Sequence, residues 1–138
     1  GITAHPGGTY VCMEGPLFST KAESHYHRNM GYSLIGMTVS PEAKLAREAQ
    51  MCYAPICMVT DYDAWRDGEE VNSAQVMETF SRNLEKVKKL IIGAVPAIAA
   101  AGADCACRHS LQNAIFTAPK SISAANRRKL KPIIGEYV

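Results

Sequence analysis

The sequence predicts an α/β layered fold with an at least partly parallel sheet, and three observations carry that expectation. Short β-branched and aromatic runs alternate with segments of helical periodicity. The helical segments begin or end at recognisable cap and stop residues. The composition, 47% hydrophobic and 20% charged, is that of an ordinary globular chain rather than a disordered one. At 138 residues the chain is long enough for one domain with a real core and too short for two comfortable ones.

The elements follow in order. Thr9 to Met13, a β-branched and aromatic run after Gly7-Gly8, reads as a strand stopped by Glu14-Gly15-Pro16. Ser19 or Thr20 can cap a helix running to about Met30, with Gly31 as its stop. Tyr32 to Met37 is the next strand; its interior Gly36 costs stability unless something approaches the backbone closely there. Ser40-Pro41-Glu42 reads as N-cap, first helical position and first-turn acid, and Ala43, Leu45, Ala46, Ala49 and Gln50 continue at helical spacing. Cys52 to Thr60 is nearly continuously apolar, as expected of a central strand covered on both faces, with a bulge or end effect at Pro55. Asn72 to Ile92 is the longest helical pattern. Asn72 and Gln75 suit a capping box, Val76, Phe80, Leu84, Val87 and Ile91 form its apolar stripe, and Pro96 is expected to end or kink it. Ser110 to Phe116 and Ser123 to Leu130 are shorter helical candidates.

The formal charge of +2 is too small to imply a nucleic-acid or membrane partner. Lys120, Arg127, Arg128, Lys129 and Lys131 cluster near the C-terminus and read as a solvated helix face. The first eight residues have no secretory pattern, and the apolar run from Leu90 to Ala103 is short and broken by Gly93, Pro96 and Gly102. A soluble, cytoplasmic protein is expected. The chain also starts without Met on a Gly-rich segment that suits a loop, a first hint of a missing N-terminal portion.

Five cysteines are many for a cytosolic mesophile. On a strand, Cys52 and Cys57 would lie roughly 16 Å apart on opposite faces, so any disulfide from either must go elsewhere. Cys105 and Cys107 fit buried structural thiols, a strained redox pair or part of a metal site, but no second ligand pair has zinc spacing. No metal is therefore expected. Bridges in an intracellular protein would point to a hyperthermophilic source. His25 and His27 on one helix point about 200° apart and cannot share an ion.

Ligands of open α/β sheets bind beyond the carboxyl ends of strands. Three such ends are distinctive here: Glu14 to Ser19, Gly36-Met37-Thr38, and Thr60-Asp61-Tyr62-Asp63. Their convergence at one rim would suit a small polar molecule with a flat ring. By themselves the same residues fit a polar turn or helix cap at Asp61-Tyr62-Asp63, a magnesium site lacking a third ligand, and core packing for Met37 and Phe18.

The stretch Glu14-Gly-Pro-Leu-Phe-Ser-Thr-Lys-Ala-Glu23 resembles the EGPxFSTxAE segment of the methylthioadenosine phosphorylases, in the purine nucleoside phosphorylase family. Ile35 to Glu42 is similar to that family's strand-to-helix segment, and Thr60 to Trp65 to its base-binding loop. The three matches come in the right order over about Gly8 to Ile98, with little to match beyond Ala99. The resemblance implies that residues 1–138 are the C-terminal half of a single phosphorylase domain, a nucleoside-phosphorylase-type mixed sheet flanked by helices. It also implies a homotrimer or dimer of trimers.

The implied reaction is attack of inorganic phosphate, a co-substrate rather than a cofactor, on the anomeric carbon of 5′-methylthioadenosine, giving adenine and 5-methylthioribose 1-phosphate. By the resemblance Phe18 lines the base and sugar pocket and Ser19 helps set base specificity. Met37 contacts the ribose, with close approach helped by Gly36, and Thr38 gives its hydroxyl to phosphate. Asp61 and Asp63, with Tyr62 between them, hold the purine, and Asp61 is the catalytic residue. Ser73, Val76 and Met77 surround the 5′-substituent.

Chemistry supports these roles. Ribosyl transfer through an oxocarbenium-like state needs a good leaving group, and a carboxyl with raised pKa can protonate adenine N7. An exocyclic amine wants an acceptor, so two aspartates favour a 6-aminopurine, whereas a 6-oxopurine suits an amide donor. Val76 and Met77 suit a methylthio group without hydrogen-bonding needs. The family's Gly-rich phosphate loop and Arg-His pair have no counterpart here, and Gly7-Gly8 precedes a strand, the wrong order. This polypeptide alone is expected to show no turnover and to need a complementary N-terminal half or chain. The alternatives are a broader purine nucleoside phosphorylase and a non-catalytic nucleoside-binding domain.

Overall fold

The computed structural model describes residues 2–68, 71–102 and 104–138. Its elements are β1 (Tyr10–Cys12), α1 (Lys21–Asn29), β2 (Leu34–Gly36), α2 (Glu42–Glu48), α3 (Ser73–Ala101) and α4 (Ala124–Ile134), with 3-10 turns at Asp63–Trp65, Ala106–His109 and Pro119–Ser121. They fall into two compact units, one of Gly1–Val39 with Pro55–Ala101, the other of Ser40–Ala54 with Gly102–Val138.

The first unit begins with a β-α-β turn of the chain. β1 and β2 are parallel, with Tyr10 opposite Leu34, Val11 opposite Ile35 and Cys12 opposite Gly36. The Thr9 carbonyl accepts from the Ser33 and Leu34 amides, and the Met13 amide donates to the Gly36 carbonyl, extending the ladder at both ends. The crossover α1 starts as its residues require. Thr20 caps it, its hydroxyl accepting from the Glu23 amide while the Glu23 carboxylate accepts from the Thr20 amide, a complete capping box. Gly31 lies just beyond the helix at φ +75°, a left-handed conformation that suits glycine. Helix α1 packs on the Asp63–Trp65 turn, and the Arg28 guanidinium sits 3.6 Å from the Trp65 ring centre.

Helix α3 differs from its expected length. Asn72 does cap it, accepting from the Ala74 amide at 2.8 Å, but the helix passes through Pro96 and ends only at Ala101. Proline removes the donor for the Ile92 carbonyl. Ala94, Ala97 and Ala99 to Ala101 surround it with the strongest helix former, and Gly102 at φ +75° then supplies the stop. The more sheltered face holds Val76, Leu84, Val87 and Leu90, whereas Phe80 and Ile91 of the expected stripe are exposed.

Residues 52–60 form no strand, correcting the expectation of a central one. Pro55 has no amide to donate, and among the described residues the sheet contains only β1 and β2. The Val59 carbonyl instead accepts from the Asn83 side chain of α3 at 2.9 Å.

In the second unit α2 begins at Glu42, with Pro41 rather than Ser40 at the N-cap position. The expected helix over Ser110 to Phe116 is a 3-10 turn at Ala106–His109 followed by further turns. Helix α4 starts as expected, the Ser123 hydroxyl accepting from the Asn126 amide, and runs past Leu130 to Ile134. The expected hydrophobic core is the largest correction: among the described residues no hydrophobic side chain is buried, and Ser24 alone is. Among the described residues no helix is long and apolar enough to cross a membrane.

Candidate active site

A cleft of about 790 Å³ opens in the first unit between the Val59 to Asp63 segment and the start of α3. Local hydrogen bonds shape its polar wall. Asp61 turns its carboxylate back on the chain, Oδ1 accepting from the Asp63 amide at 3.0 Å and Oδ2 from the Thr60 hydroxyl at 2.7 Å. Asp63 has φ +57°, a left-handed conformation that aspartate adopts more readily than most residues. Tyr62 and Trp65 meet edge to face at 5.7 Å, and the Arg66 guanidinium lies 4.2 Å from the Tyr62 ring centre.

The opposite wall is one face of α3. Asn72, Gln75, Val76, Thr79 and Arg82 recur at helical spacing and line the cleft. Arg82 is held in place by the Thr79 hydroxyl at 3.1 Å and by Glu78 at 4.0 Å. The sequence alone places Val76 near the substrate and leaves Asn72 and Gln75 with only a capping role. Thr79 and Arg82 are the residues of this face that it misses, although their three- and four-residue spacing makes them legible.

Of the predicted residues the structure brings together Asp61, Tyr62, Asp63 and Val76 in this cleft. Ser73 and Met77, on α3, do not line it, and Met77 is exposed. Phe18 is 83% exposed. Ser19 points at the Met13 sulfur, 3.9 Å away. Met37 lies against Gly15, where an added Cβ would sit 3.1 Å from its sulfur. Thr38 is exposed. Gly36 is indeed approached closely, but by the Tyr10 phenol, which an added Cβ would overlap. Lys21 and Asp67 pair at 2.5 Å beside α1, and that hydrogen bond holds the Asp67 carboxyl below the usual range.

A second group of reactive side chains lies in the other unit. No disulfide joins any of the five cysteines, but the sulfurs of Cys52, Cys105 and Cys107 lie within 4.8 Å of one another, with Cys52 and Cys105 at 2.9 Å. The hydrogen bond to Cys105 pushes the Cys52 thiol up to about 11. Cys105 moves the other way, below the usual thiol range, through the Cys52 hydrogen bond and the Cys107 backbone amide. At 2.9 Å either sulfur can donate to the other. The sequence left Cys105 and Cys107 without a further ligand; the fold supplies one from a segment 53 residues away.

The parallel β-α-β unit and the aspartate-lined cleft beside it define a nucleoside-phosphorylase type of protein. The sequence profile of the Phosphorylase superfamily matches residues 1–96, and the chain belongs to that family. It is 47% identical over 138 residues to the S-methyl-5′-thioadenosine phosphorylase of Koribacter versatilis, an alignment covering 99% of this chain and 47% of that relative. Against the enzyme of the same name from Geobacter sulfurreducens it is 45% identical, over 100% of this chain and 48% of the relative. The crystal structure of a methylthioadenosine phosphorylase from an antarctic soil metagenomic library superposes with a TM-score of 0.83 at 39% identity, covering 91% of this chain and 44% of that one. The Schistosoma mansoni methylthioadenosine phosphorylase in complex with adenine gives 0.63 at 38% identity, over 78% and 37%. The chain spans about half the length of the curated relatives it matches. Their similarity runs the length of the chain, correcting the expectation that it fades beyond Ala99.

Proposed function

We propose that this chain is the C-terminal half of a phosphorylase that converts 5′-methylthioadenosine and phosphate to adenine and 5-methylthioribose 1-phosphate, and that it supplies purine and ribose recognition. The observation that carries this reading is the cleft in which Asp61, Tyr62 and Asp63 face Val76 and the polar side of α3. Carboxylate acceptors suit the exocyclic amine of adenine. Asp61 acts as the catalytic acid at N7, Asp63 and Tyr62 hold the base, and Phe18 and Ser19 complete the base pocket. Gly36 and Met37 take the ribose, Thr38 one phosphate oxygen, and Ser73, Val76 and Met77 the methylthio group.

One threonine hydroxyl is a weak anchor for a phosphate dianion, so a complementary N-terminal half supplies the remaining phosphate groups. The exposed apolar side chains, Phe18 and Leu17 among them, support a larger assembly that covers them, a homotrimer or dimer of trimers in the cytoplasm. The test is phosphorolysis by the full-length protein of methylthioadenosine, adenosine and inosine side by side. Preference for methylthioadenosine is expected. Strong preference for inosine overturns the substrate, and binding of nucleoside without turnover overturns the reaction.

A further inference from the structure

The three-thiol cluster lies outside the cleft and in the other unit, and the proposed phosphorolysis makes no use of it. Two segments far apart in sequence are fastened together around it. Beyond α2, Gln50 at φ +57° turns the chain so that the Met51 amide returns to the Ala46 carbonyl, and Cys52 follows directly. Cys105 and Cys107 flank the first residue of the Ala106–His109 turn, whose Arg108 amide donates to the Cys105 carbonyl. The Ser110 hydroxyl donates to the Arg47 carbonyl at 2.8 Å. The Gln50 side-chain oxygen accepts from the Leu111 amide at 3.4 Å and from the Tyr137 hydroxyl at 2.5 Å. These bonds set the thiols in place from outside the cluster.

We propose that Cys52, Cys105 and Cys107 form a three-sulfur site for a thiophilic d10 cation, zinc(II) or copper(I). Thiolates select these soft ions over magnesium or calcium. Zinc–sulfur bonds of about 2.3 Å place tetrahedral ligand sulfurs about 3.8 Å apart, a spacing between the 2.9 Å and 4.8 Å that bracket this cluster. The pair at 2.9 Å opens by about 1 Å on binding, a shift within reach of side-chain rotation at the exposed Cys52. Each sulfur binds as thiolate, its proton passing to solvent. With zinc the fourth position goes to water or another small ligand; with copper(I) three sulfurs complete a trigonal site.

The test uses the full-length protein, reduced and stripped of metal, titrated separately with zinc(II) and copper(I) against chromophoric chelators of known affinity. One equivalent of at least one ion is expected to bind with sub-micromolar affinity, and metal analysis of the protein as isolated identifies the occupant. Cys52→Ser, Cys105→Ser and Cys107→Ser are each expected to weaken it by about 100-fold or more, while Cys12→Ser and Cys57→Ser leave it unchanged. Alkylation of the unaltered protein gives a readout independent of whether these variants fold: the bound ion is expected to protect Cys52, Cys105 and Cys107 and not Cys57. Failure of both ions to bind, equal loss with Cys12→Ser or Cys57→Ser, or no protection of the three thiols overturns the site. So does isolation of the native protein with Cys52 bridged to Cys105 or Cys107.

Discussion

The phenol of Tyr10 lies across Gly36, close enough that any side chain at residue 36 would overlap its hydroxyl. What an added Cβ would meet is the tip of this side chain and not the partner strand's backbone, so glycine at residue 36 is what lets the phenol lie there. Gly36→Ala forces the phenol to move or the strands to part, and overpacking of this kind costs about 1–3 kcal/mol. The expected outcome is a lower denaturation midpoint for the full-length protein. Tyr10→Ala in the same chain should recover part of the loss, because the two residues are in contact and their effects do not add. Additive losses in the double-mutant cycle would show that Tyr10 is not what Gly36 accommodates.

Asp61→Asn separates shape from charge in the cleft. The asparagine oxygen can still accept from the Asp63 amide, and the Thr60 hydroxyl can rotate to donate elsewhere. The loop is expected to persist, with an unchanged melting temperature, while the acid is lost. Under the proposed reaction kcat/KM for methylthioadenosine should fall by about 10²–10⁴-fold. The ratio of inosine to adenosine turnover should rise, since an amide donor meets a 6-oxo group better. Turnover near that of the unaltered protein would remove Asp61 from catalysis.

What was legible in the sequence follows the range of the interactions. Thr20 and Glu23, three residues apart, form a capping box read from local spacing, and Gly31 and Ser123 were equally readable. The paired aspartates were legible too, because their turn is made by Thr60, Asp61 and Asp63 alone. Residues 52–60 misled because strand formation needs a partner that an apolar run does not specify. Pro96 does not end the helix, because alanines on both sides outweigh one missing donor. The thiol cluster depends on contacts across 53 residues, for which Cys105-Ala106-Cys107 gives no local sign.

The capping box also sets an acid limit. The Thr20 backbone amide and hydroxyl hold the Glu23 carboxyl below its ordinary 4.5, and Lys21 holds Asp67 below 3.8. A carboxylate depressed in the folded state contributes stability above its unfolded pKa and loses it as pH falls through the folded value. Helix α1 and its contact with the Asp63–Trp65 turn should therefore loosen below pH 4.5. Thr20→Ala removes the hydroxyl's bonds with the Glu23 amide and carboxylate, keeps the backbone amide's, and should lower the melting temperature by a few degrees at pH 7. It should also flatten part of the decline between pH 5 and 3, measured by thermal denaturation. An unchanged acid limb in Thr20→Ala would assign that decline to the retained backbone-amide bond or to other carboxylates.

Thiol reactivity should distinguish the two closest cysteines in the metal-free protein. The thiolate is the nucleophile, so alkylation at each site follows its own titration. Cys105, held below the usual 9.0 by the Cys52 hydrogen bond and the Cys107 amide, should react with iodoacetamide at a pH where an ordinary thiol is still mostly protonated. Cys52, pushed up to about 11, should lag until strongly alkaline pH although it is the more exposed of the two. Peptide mapping of alkylated protein between pH 7 and 11 reads both profiles at once. Cys105→Ser replaces the thiolate acceptor with a neutral hydroxyl, so the Cys52 profile should move down toward 9.0. Earlier reaction at Cys52 than at Cys105 would overturn the opposed shifts, since exposure alone would then govern the order.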